Sequence, residues 1–305
     1  MLALAAAIWG FAFVTQRLGA RFVGPMTFNA VRFAIAAVFV TAVIVVRDRW
    51  RRQPVARQWA LTKRALLPGA LAGAVLAVAG GLQQAGMSDA IVGQGATAGE
   101  AAFITGLYMV LVPLVGAFLG HRVRLPIVIG VVLSVAGLYL ICVTDGLVVT
   151  PGNLLVLASA FVWTAHILVI DRFSKRLSVL RLAAIQFASC AVVSSIFSPA
   201  VDAAPFAGID QAVIPLLYGG LMSGGIAFTL QVVAQRDALA AHASLIMALE
   251  AVFGAIGGAL LLGENMGVRG YVGAALMVAG ILTSQVVRSK PPSASASLAP
   301  DGAVR

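Results

Sequence analysis

Charged residues are scarce in this sequence. Only 10% of its 305 residues are Asp, Glu, Lys or Arg, whereas 61% are hydrophobic and the mean hydropathy is +1.00. A water-soluble domain carries about 25% charged residues, so this chain has too little charge to cover a soluble surface. The composition therefore predicts an integral membrane protein.

Motifs for catalysis and metal binding are also missing. The sequence has no H-E-x-x-H metal motif, no G-x-S-x-G nucleophile motif and no nucleotide-binding P-loop. Its two cysteines, Cys142 and Cys190, lack the C-x-x-C spacing of a metal or redox site. We therefore expect no enzyme, no metal site and no cofactor.

Long apolar runs are abundant. A helix that crosses the bilayer core needs about 20 mostly apolar residues, and stretches such as "AIAAVFVTAVIVV" are apolar all round rather than alternating as in a β-barrel. The runs lie at about residues 1–18, 27–46, 65–86, 101–120, 125–143, 153–170, 180–198, 212–233, 242–263 and 268–287. The sequence thus predicts an all-α integral membrane protein with ten transmembrane helices, followed by a disordered cytoplasmic tail at 288–305 that is rich in Pro, Ser and Ala.

The net charge of +10 is unevenly distributed along the chain. If the N-terminus lies inside, the inner loops and tail hold most of the basic residues: Arg47, Arg49, Arg51, Arg52, Arg57, Lys63, Arg64, Arg122, Arg124, Arg172, Lys175, Arg176, Arg181, Arg236, Arg288, Lys290 and Arg305. The opposite loops hold only Arg17, Arg21 and Arg269. Cytoplasmic loops collect Lys and Arg, so we expect a multi-pass protein of the inner (plasma) membrane with both termini cytoplasmic, and no nucleic-acid partner.

The sequence also contains an internal repeat. "AFLGHRVRLPIVIGVVLSVAGLYLI" aligns with "ALLLGENMGVRGYVGAALMVAGILT", which places Gly130 on Gly273 and Gly137 on Gly280 at an offset of 143. Glycines seven residues apart on one helix face allow close helix packing. We therefore expect the fifth and tenth helices to pack against each other.

Other matches extend the repeat to both halves of the chain. Trp9 aligns with Trp163 and Phe33 with Phe187 at an offset of 154, and Leu82-Gln83 aligns with Leu230-Gln231 at an offset of 148. Each half then holds five helices, and an odd number inverts the second half across the membrane. Inverted repeats are typical of alternating-access transporters that hold substrate near the bilayer midplane. The predicted repeats span residues 1–143 and 153–287.

Several segments carry a family resemblance. "IWGFAFV", "FNAVRFAIAA", "GEAAFITGLYMVLVPLVGAFLG" and "LLLGENMGVRGYVGAALMVAGILT" resemble the EamA-type branch of the drug/metabolite transporter superfamily, from about Ala5 to Gln285. The resemblance implies two inverted five-helix repeats, a central cavity and export of small metabolites or amino-acid-like compounds. It also implies that helices 1, 3, 4, 6, 8 and 9 surround the path. The family's Gly-Glu turn is present at Gly263-Glu264, whereas the equivalent turn reads Gly120-His121.

Polar residues inside the apolar runs are the candidates for function. An ionisable side chain at a helix centre costs roughly 2.5–3.5 kcal/mol on insertion scales, so each one has a structural or functional reason. Glu250, about eight residues into the ninth run, either binds a cationic group or proton in a cavity or hydrogen-bonds between helices as a neutral acid. His166 is either a substrate contact or proton relay, or a buried, satisfied histidine. Arg32 either snorkels to the interface or pairs with a carboxylate that faces the cavity.

Aromatic and amide side chains complete the set. Trp9, Phe13 and Gln16 form a stripe on the first helix, and such stripes either pack or line a cavity. Thr97 and Glu100 fit a helix-capping box, and Pro113 predicts a kink in the fourth helix. The candidate cavity residues are Trp9, Phe13, Arg32, Gln83, Tyr108, Trp163, His166, Gln186, Gln231 and Glu250.

These features predict a secondary transporter that works by alternating access. The alternatives are a passive channel for polar solutes and a lipid-translocating protein, which also use polar-lined helix bundles. The expected partners are a small-molecule substrate and membrane lipid, with protons as a coupling ion through Glu250 and His166 as the weaker hypothesis. The chain is expected to act as a monomer or a homodimer.

Overall fold

A computed structural model describes residues 1–120, 123–142, 149–262 and 267–285. The predicted tail and the second residues of both glycine turns, His121 and Glu264, lie outside these ranges. Within them the chain forms helices joined by short connections and contains no strand. The prediction of an all-α fold is confirmed.

The helices follow one another closely along the chain. In chain order they are α1 (Leu2–Gly19), α2 (Pro25–Trp50), α3 (Val55–Gly86), α4 (Asp89–Val92), α5 (Ala98–Gly106), α6 (Tyr108–Phe118), α7 (Leu125–Cys142), α8 (Pro151–Ser174), α9 (Val179–Val201), α10 (Val213–Leu217), a π-helix (Tyr218–Phe228), α11 (Thr229–Gln235), α12 (Ala240–Met247), α13 (Glu250–Leu262) and α14 (Gly267–Gln285).

Most of these helices, alone or joined end to end, form segments that can cross a membrane. In the described ranges, eight segments are long and apolar enough by length and composition: Leu2–Gly19, Pro25–Trp50, Val55–Gly86, Ala98–Phe118, Pro151–Ser174, Val179–Val201, Val213–Gln235 and Gly267–Ser284. Two further apolar segments, Leu125–Ile141 and Ala240–Ile256, are shorter. Each predicted run overlaps one of these ten segments.

Helices α2 and α9 pack antiparallel and are joined at both ends. At one end the Asp202 carboxylate accepts hydrogen bonds from the Thr27 backbone N–H (2.7 Å) and the Thr27 hydroxyl (2.6 Å). At the other end the Arg181 guanidinium forms an ion pair with Asp48, and both side chains are at most 3% exposed. The sequence placed Arg181 in a cytoplasmic loop. The structure places it in the first turn of α9 instead, where the fold buries it beside its counter-charge.

The centre of this helix pair is aromatic. Phe33 of α2 and Phe187 of α9 stack with ring centroids 5.8 Å apart, and both are fully buried. These are the two phenylalanines that the repeat aligns, so equivalent positions of the two halves meet each other here.

Helices α7 and α14 form a second antiparallel pair through glycines. A Cβ atom on Gly137 would lie 2.4 Å from the Gly273 carbonyl oxygen, and one on Gly130 would lie 2.6 Å from the Gly280 oxygen. Such distances leave no space for any side chain, so the two backbones touch. The predicted close packing of the fifth and tenth helices is confirmed.

Two helical segments are interrupted at nearly equivalent positions. The break between α5 and α6 falls at Leu107, and the break between α12 and α13 falls at residues 248–249, which is within two residues of the repeat offset of 143. Around both breaks the backbone tightens to bonds between residues three apart, such as Leu107 N–H to the Ile104 oxygen at 3.2 Å. Pro113 lies inside α6, and the kink expected there stays a prediction. Glu250 is the first residue of α13 rather than a mid-helix residue.

A glycine-rich π-helix, which the apolar pattern did not predict, lies in the segment after α10. It spans 11 residues, "YGGLMSGGIAF". A Cβ atom on Gly220 would lie 2.7 Å from the Ile35 side chain, and one on Gly224 would lie 2.8 Å from Ala36. The glycines therefore let this wide helix approach α2 closely.

Candidate functional site

A cavity lies inside the helix bundle. Its lining residues come from α1, α2, α3, α5, α6, α8, the π-helix and α11 to α13. They are Trp9, Phe13, Gln16, Arg32, Gln83, Thr105, Tyr108, Trp163, Ile167, Ser223, Phe228, Gln231, Met247 and Glu250. Eight of the ten candidate residues from the sequence line this cavity.

Arg32 brings a buried positive charge to the cavity. Its side chain is only 3% exposed, and its Nη2 and Nε atoms donate to the Asn29 side-chain oxygen at 2.8 and 3.1 Å. The guanidinium carbon also lies 4.7 Å from the centre of the Phe33 ring, a cation–π contact. None of the described residues forms an ion pair with Arg32. Arg32 therefore neither snorkels to the interface nor meets a carboxylate of the chain in the described ranges.

A chain of hydrogen bonds connects Arg32 to the indole of Trp163. Arg32 Nη1 donates to Gln16 Oε1 at 3.3 Å, and Gln83 Nε2 donates to the same oxygen at 3.2 Å. Trp163 Nε1–H donates to Gln83 Oε1 at 2.7 Å. The chain joins α2, α1, α3 and α8, so four helices share one polar network on one wall of the cavity.

Glu250 brings a buried carboxyl group to the same cavity. It is 4% exposed, and the Tyr108 hydroxyl donates to its Oε1 atom at 3.1 Å. Both residues are the first residues of their helices, α13 and α6, so the two helix interruptions place this pair. A carboxyl group at the positive end of a helix dipole is favoured by the orphan backbone N–H groups there. Within the described residues Glu250 has no cationic partner.

Aromatic rings form the apolar part of the lining. The Phe228 ring lies 4.8 Å from Trp9 and 5.7 Å from Trp163, and it also contacts Phe33, His166 and Phe187. Phe228 ends the π-helix, which explains why the sequence pattern did not single it out. The cavity therefore offers aromatic faces between its charged groups.

His166 and Gln186 do not line the cavity. Both are fully buried, and they lie 3.1 Å apart from His166 Nε2 to Gln186 Oε1. These two candidate residues therefore lie outside the lining of this cavity, and a role for them in the substrate path stays a prediction. The reason is the rotation of α8 about its own axis. Trp163 and Ile167 of α8 line the cavity, whereas His166 points towards Gln186 of α9.

Some buried polar atoms at the cavity have no hydrogen-bond partner among the described residues. They are the indole Nε1 of Trp9, the Oε1 of Gln231 and the hydroxyl of Thr105. Each unpaired buried donor or acceptor carries a desolvation cost. The free atoms therefore mark the places where the site can still accept a partner.

The two ends of the bundle differ. At the end that carries Asp89, Arg17 pairs with Asp89 at 2.8 Å, and a Cβ atom on Gly152 would lie 2.5 Å from the Gly86 oxygen. The Gly95 backbone N–H and then the Arg17 guanidinium hold the pKa of Asp89 below its ordinary value of 3.8. This Asp89 end is packed shut by α1, α3, α4 and α8.

The opposite end, which carries Asp171, contains a second cavity. It lies between α6, α7, α8 and α12, and its lining includes Leu168, Asp171 and Lys175. The two cavities share no lining residue, and on α8 Ile167 lines the central cavity whereas Leu168 lines the second. The Asp171 end therefore holds open space beside α8, whereas at the Asp89 end α8 touches α3.

Sequence reasoning missed several lining residues. All of them are uncharged, so their sequence positions did not mark them, and only the fold brings them to the cavity. They are Thr105, Ile167, Ser223, Phe228 and Met247. Gln16 had a signal, because it continues the stripe of Trp9 and Phe13. The capping box of Thr97 and Glu100, read as structural, is confirmed.

The fold is that of a multi-pass helical membrane protein, and its central cavity combines charged, amide and aromatic side chains. Comparison with known families agrees: the sequence matches the EamA-like transporter family over residues 1–143 and 150–284. The chain belongs to that family, whose members are membrane transporters rather than enzymes. The two matched ranges also give the chain a two-repeat layout.

Solved structures support the fold. A crystal structure of a protein 19% identical in sequence superposes with a TM-score of 0.66, covering 92% of this chain and 96% of the other. At this identity the similarity concerns the fold alone. No curated protein matches the sequence.

Proposed function

We propose that this protein is a secondary transporter that exports small amino-acid-like zwitterions across the inner (plasma) membrane by alternating access. In this proposal ten transmembrane helices form two inverted repeats, residues 1–143 and 153–287. Both termini and the tail at 288–305 lie in the cytoplasm. The observation that carries it is a central cavity with a buried guanidinium and a buried carboxyl group, neither of which meets an opposite charge among the described residues.

The inverted arrangement is supported by contacts that occur twice. An offset of 154 takes Thr27 and Asp48 to Arg181 and Asp202, so the Thr27–Asp202 and Asp48–Arg181 contacts are equivalents of each other. The glycine contacts between α7 and α14 pair in the same way at an offset of 143. A twofold axis in the membrane plane produces such duplicated, antiparallel contacts.

The substrate class follows from Arg32 and Glu250. A buried charge without a partner costs several kcal/mol or more in a low-dielectric site, and a ligand that carries both opposite charges offsets both costs at once. The carboxylate of a zwitterion fits Arg32, whose planar donors suit carboxylates. Its ammonium group fits Glu250, and its side chain fits the rings of Trp9, Trp163 and Phe228.

The direction of access is supported by the basic residues. If the loops rich in Lys and Arg are cytoplasmic, the Asp171 end faces the cytoplasm and the Asp89 end faces outward. The second cavity then opens inward while the opposite end is closed. This conformation admits a cytoplasmic solute, as export requires. Bound lipid covers the outer faces of the helices, and a monomer or a homodimer satisfies the proposal equally.

Proton coupling is a narrower part of the proposal and rests on Glu250. A carboxyl group that faces a cavity in one conformation can exchange a proton for the substrate's ammonium group. His166 is separated from this group by its position behind the cavity wall. We therefore assign coupling to Glu250 and its hydrogen-bonded partner Tyr108.

The test is uptake into proteoliposomes that contain the purified protein, with a panel of neutral amino acids, their decarboxylated amines and their deaminated acids. Zwitterions should move with saturable kinetics and exchange with unlabelled zwitterion on the far side. Arg32→Gln should abolish selection for the carboxylate, and Glu250→Gln should abolish selection for the ammonium group and any response to a pH gradient. Arg124→Gln and Asp210→Asn, which remove exposed charges, serve as matched controls.

Three results would contradict the proposal. Flux that rises linearly with concentration and shows no exchange indicates a passive channel. Movement of labelled phospholipid between leaflets without zwitterion transport indicates a lipid-translocating protein. Equal transport of amines, acids and zwitterions by the wild type removes the roles of Arg32 and Glu250.

A further inference from the structure

The two repeats are related in sequence, but their hydrogen bonds at the cavity are not the same. Trp163 Nε1–H donates to Gln83 Oε1 at 2.7 Å. The repeat aligns Trp163 with Trp9 and Gln83 with Gln231. The equivalent bond would run from Trp9 Nε1–H to Gln231 Oε1. These two atoms are buried and have no partner in the described structure.

The asymmetry of the bonds matches the asymmetry of the ends. The Trp163–Gln83 bond joins α8 to α3, the two helices that touch at the closed Asp89 end through Gly152 and Gly86. The equivalent bond would join α1 to α11. In the inverted arrangement that pair of helices lies at the Asp171 end, where the second cavity separates α6, α7, α8 and α12. The bond is made at the end where α3 and α8 touch, and its equivalent between α1 and α11 is not made in the described structure.

We infer that Trp9 and Gln231 form a hydrogen bond in the opposite conformation of the transporter, in which the Trp163–Gln83 bond is broken. The inference rests on the proposed alternating access, because exchange between the two conformations interchanges the arrangements of inverted repeats. One indole–amide bond is then exchanged for its equivalent, so the number of buried unpaired atoms stays constant along the cycle. All four side chains line the central cavity, and they act as positioning residues for the two closed ends.

The exchange has a physical consequence for the balance between the conformations. A hydrogen bond between membrane helices contributes a free energy that corresponds to about a threefold change in an equilibrium constant on average. Two equivalent bonds contribute similar amounts to the two conformations and leave neither one strongly favoured. Removal of one bond alone should therefore shift the balance, and removal of its equivalent should shift it the opposite way.

The experiment measures which end is open without any substrate. In a background with Cys142→Ser and Cys190→Ala, a single cysteine is placed by Ala96→Cys or Ala241→Cys. Ala96 is fully buried against Gly152 at the Asp89 end, and Ala241 lines the second cavity at the Asp171 end. The protein is reconstituted into lipid nanodiscs, where both faces meet solvent, and the rate of labelling by a charged maleimide is measured.

Matched indole variants provide the comparison, because Trp→Phe removes the N–H donor and keeps an aromatic ring. Trp163→Phe should raise the labelling rate at position 96 about threefold and lower it at position 241, whereas Trp9→Phe should do the reverse. Gln231→Leu should reproduce the effect of Trp9→Phe. The double variant of Trp9→Phe with Gln231→Leu should shift the labelling rates no further than either of these two single changes. Thermal unfolding of each variant checks that the fold is retained.

Several outcomes overturn the inference. If Trp9→Phe and Gln231→Leu leave both labelling rates unchanged, the bond between Trp9 and Gln231 does not form. If both variants only weaken zwitterion affinity, the two atoms are substrate contacts instead. Shifts of the same sign for Trp9→Phe and Trp163→Phe indicate general loosening of the bundle. A protein that shows the opposed labelling shifts but transports no zwitterion refutes the substrate class and leaves the exchanged bond intact.

Discussion

The buried ion pair at one end of the α2–α9 pair gives the sharpest stability prediction. The Asp48 and Arg181 side chains are 2% and 3% exposed. Asp48 also accepts hydrogen bonds from Arg47 at 2.8 and 3.1 Å, and Arg181 donates to the Thr62 hydroxyl at 3.0 Å. Asp48→Asn removes the negative charge and leaves the Arg181 guanidinium buried without a counter-charge.

The size of the loss follows from that burial. Breaking a buried ion pair from one side costs about 3–5 kcal/mol, because the remaining charge is uncompensated. We expect the lower end, about 3 kcal/mol, because Thr62 still accepts from Arg181 and Arg47 is partly solvated. By the scaling of soluble domains this corresponds to a fall in Tm of about 6–12 °C.

The assay is thermal unfolding of the purified protein in one detergent at pH 7, followed by loss of helical circular dichroism. Asp171→Asn is the matched control, since the Asp171–Lys175 pair is more exposed than the Asp48–Arg181 pair, with side chains 15% and 42% exposed. That change should cost no more than about 0.5 kcal/mol. The double variant Asp48→Leu with Arg181→Met should recover most of the lost stability. Equal losses for Asp48→Asn and Asp171→Asn would refute the reasoning from burial.

Three further predictions concern packing and pH. Gly137→Ala should destabilise the protein by about 1–3 kcal/mol in thermal unfolding, because its Cβ would enter the α14 backbone. Gly99→Ala should be neutral, because a Cβ atom there would have no neighbour within 4 Å. Equal effects of the two changes would contradict this reasoning. Asp89→Asn should lower Tm by a constant amount from pH 7 down to about 4, since hydrogen bonds hold the pKa of Asp89 below 3.8 and its stabilisation is lost only as pH falls through the folded pKa. A gap that closes already at neutral pH would contradict that assignment. Phe228→Ala should cost about 3–5 kcal/mol and shift tryptophan fluorescence to the red, because it empties the centre of the aromatic cluster; Phe118→Ala, at 85% exposure, should change neither.

Much of the candidate site was visible in the sequence because polar residues are rare in apolar helices. Arg32, Gln83, Gln231 and Glu250 stand out for that reason alone, and the structure places all four on one cavity. His166 stood out equally but lies behind the cavity wall against Gln186. Rarity marks a residue as costly to bury. It does not say which neighbour offsets the cost.

The aligned tryptophans show the same limit. The repeat identified Trp9 and Trp163 as equivalent, and a symmetric structure would have given both the same hydrogen bond. The structure satisfies one indole and leaves the other free. The sequence shows that the two positions are equivalent, whereas the hydrogen bonds of each depend on how the helices around it are packed.

By itself the sequence determined that this is a helical membrane protein, where its helices lie and which family it belongs to, because hydrophobicity and glycine spacing are local properties of the chain. Only the tertiary structure decided where the fourth and ninth helical segments break, that Arg181 meets Asp48, and which polar atoms share a cavity. Those outcomes depend on how distant helices cross and rotate against one another. Buried polar groups take the partners that this packing brings within reach.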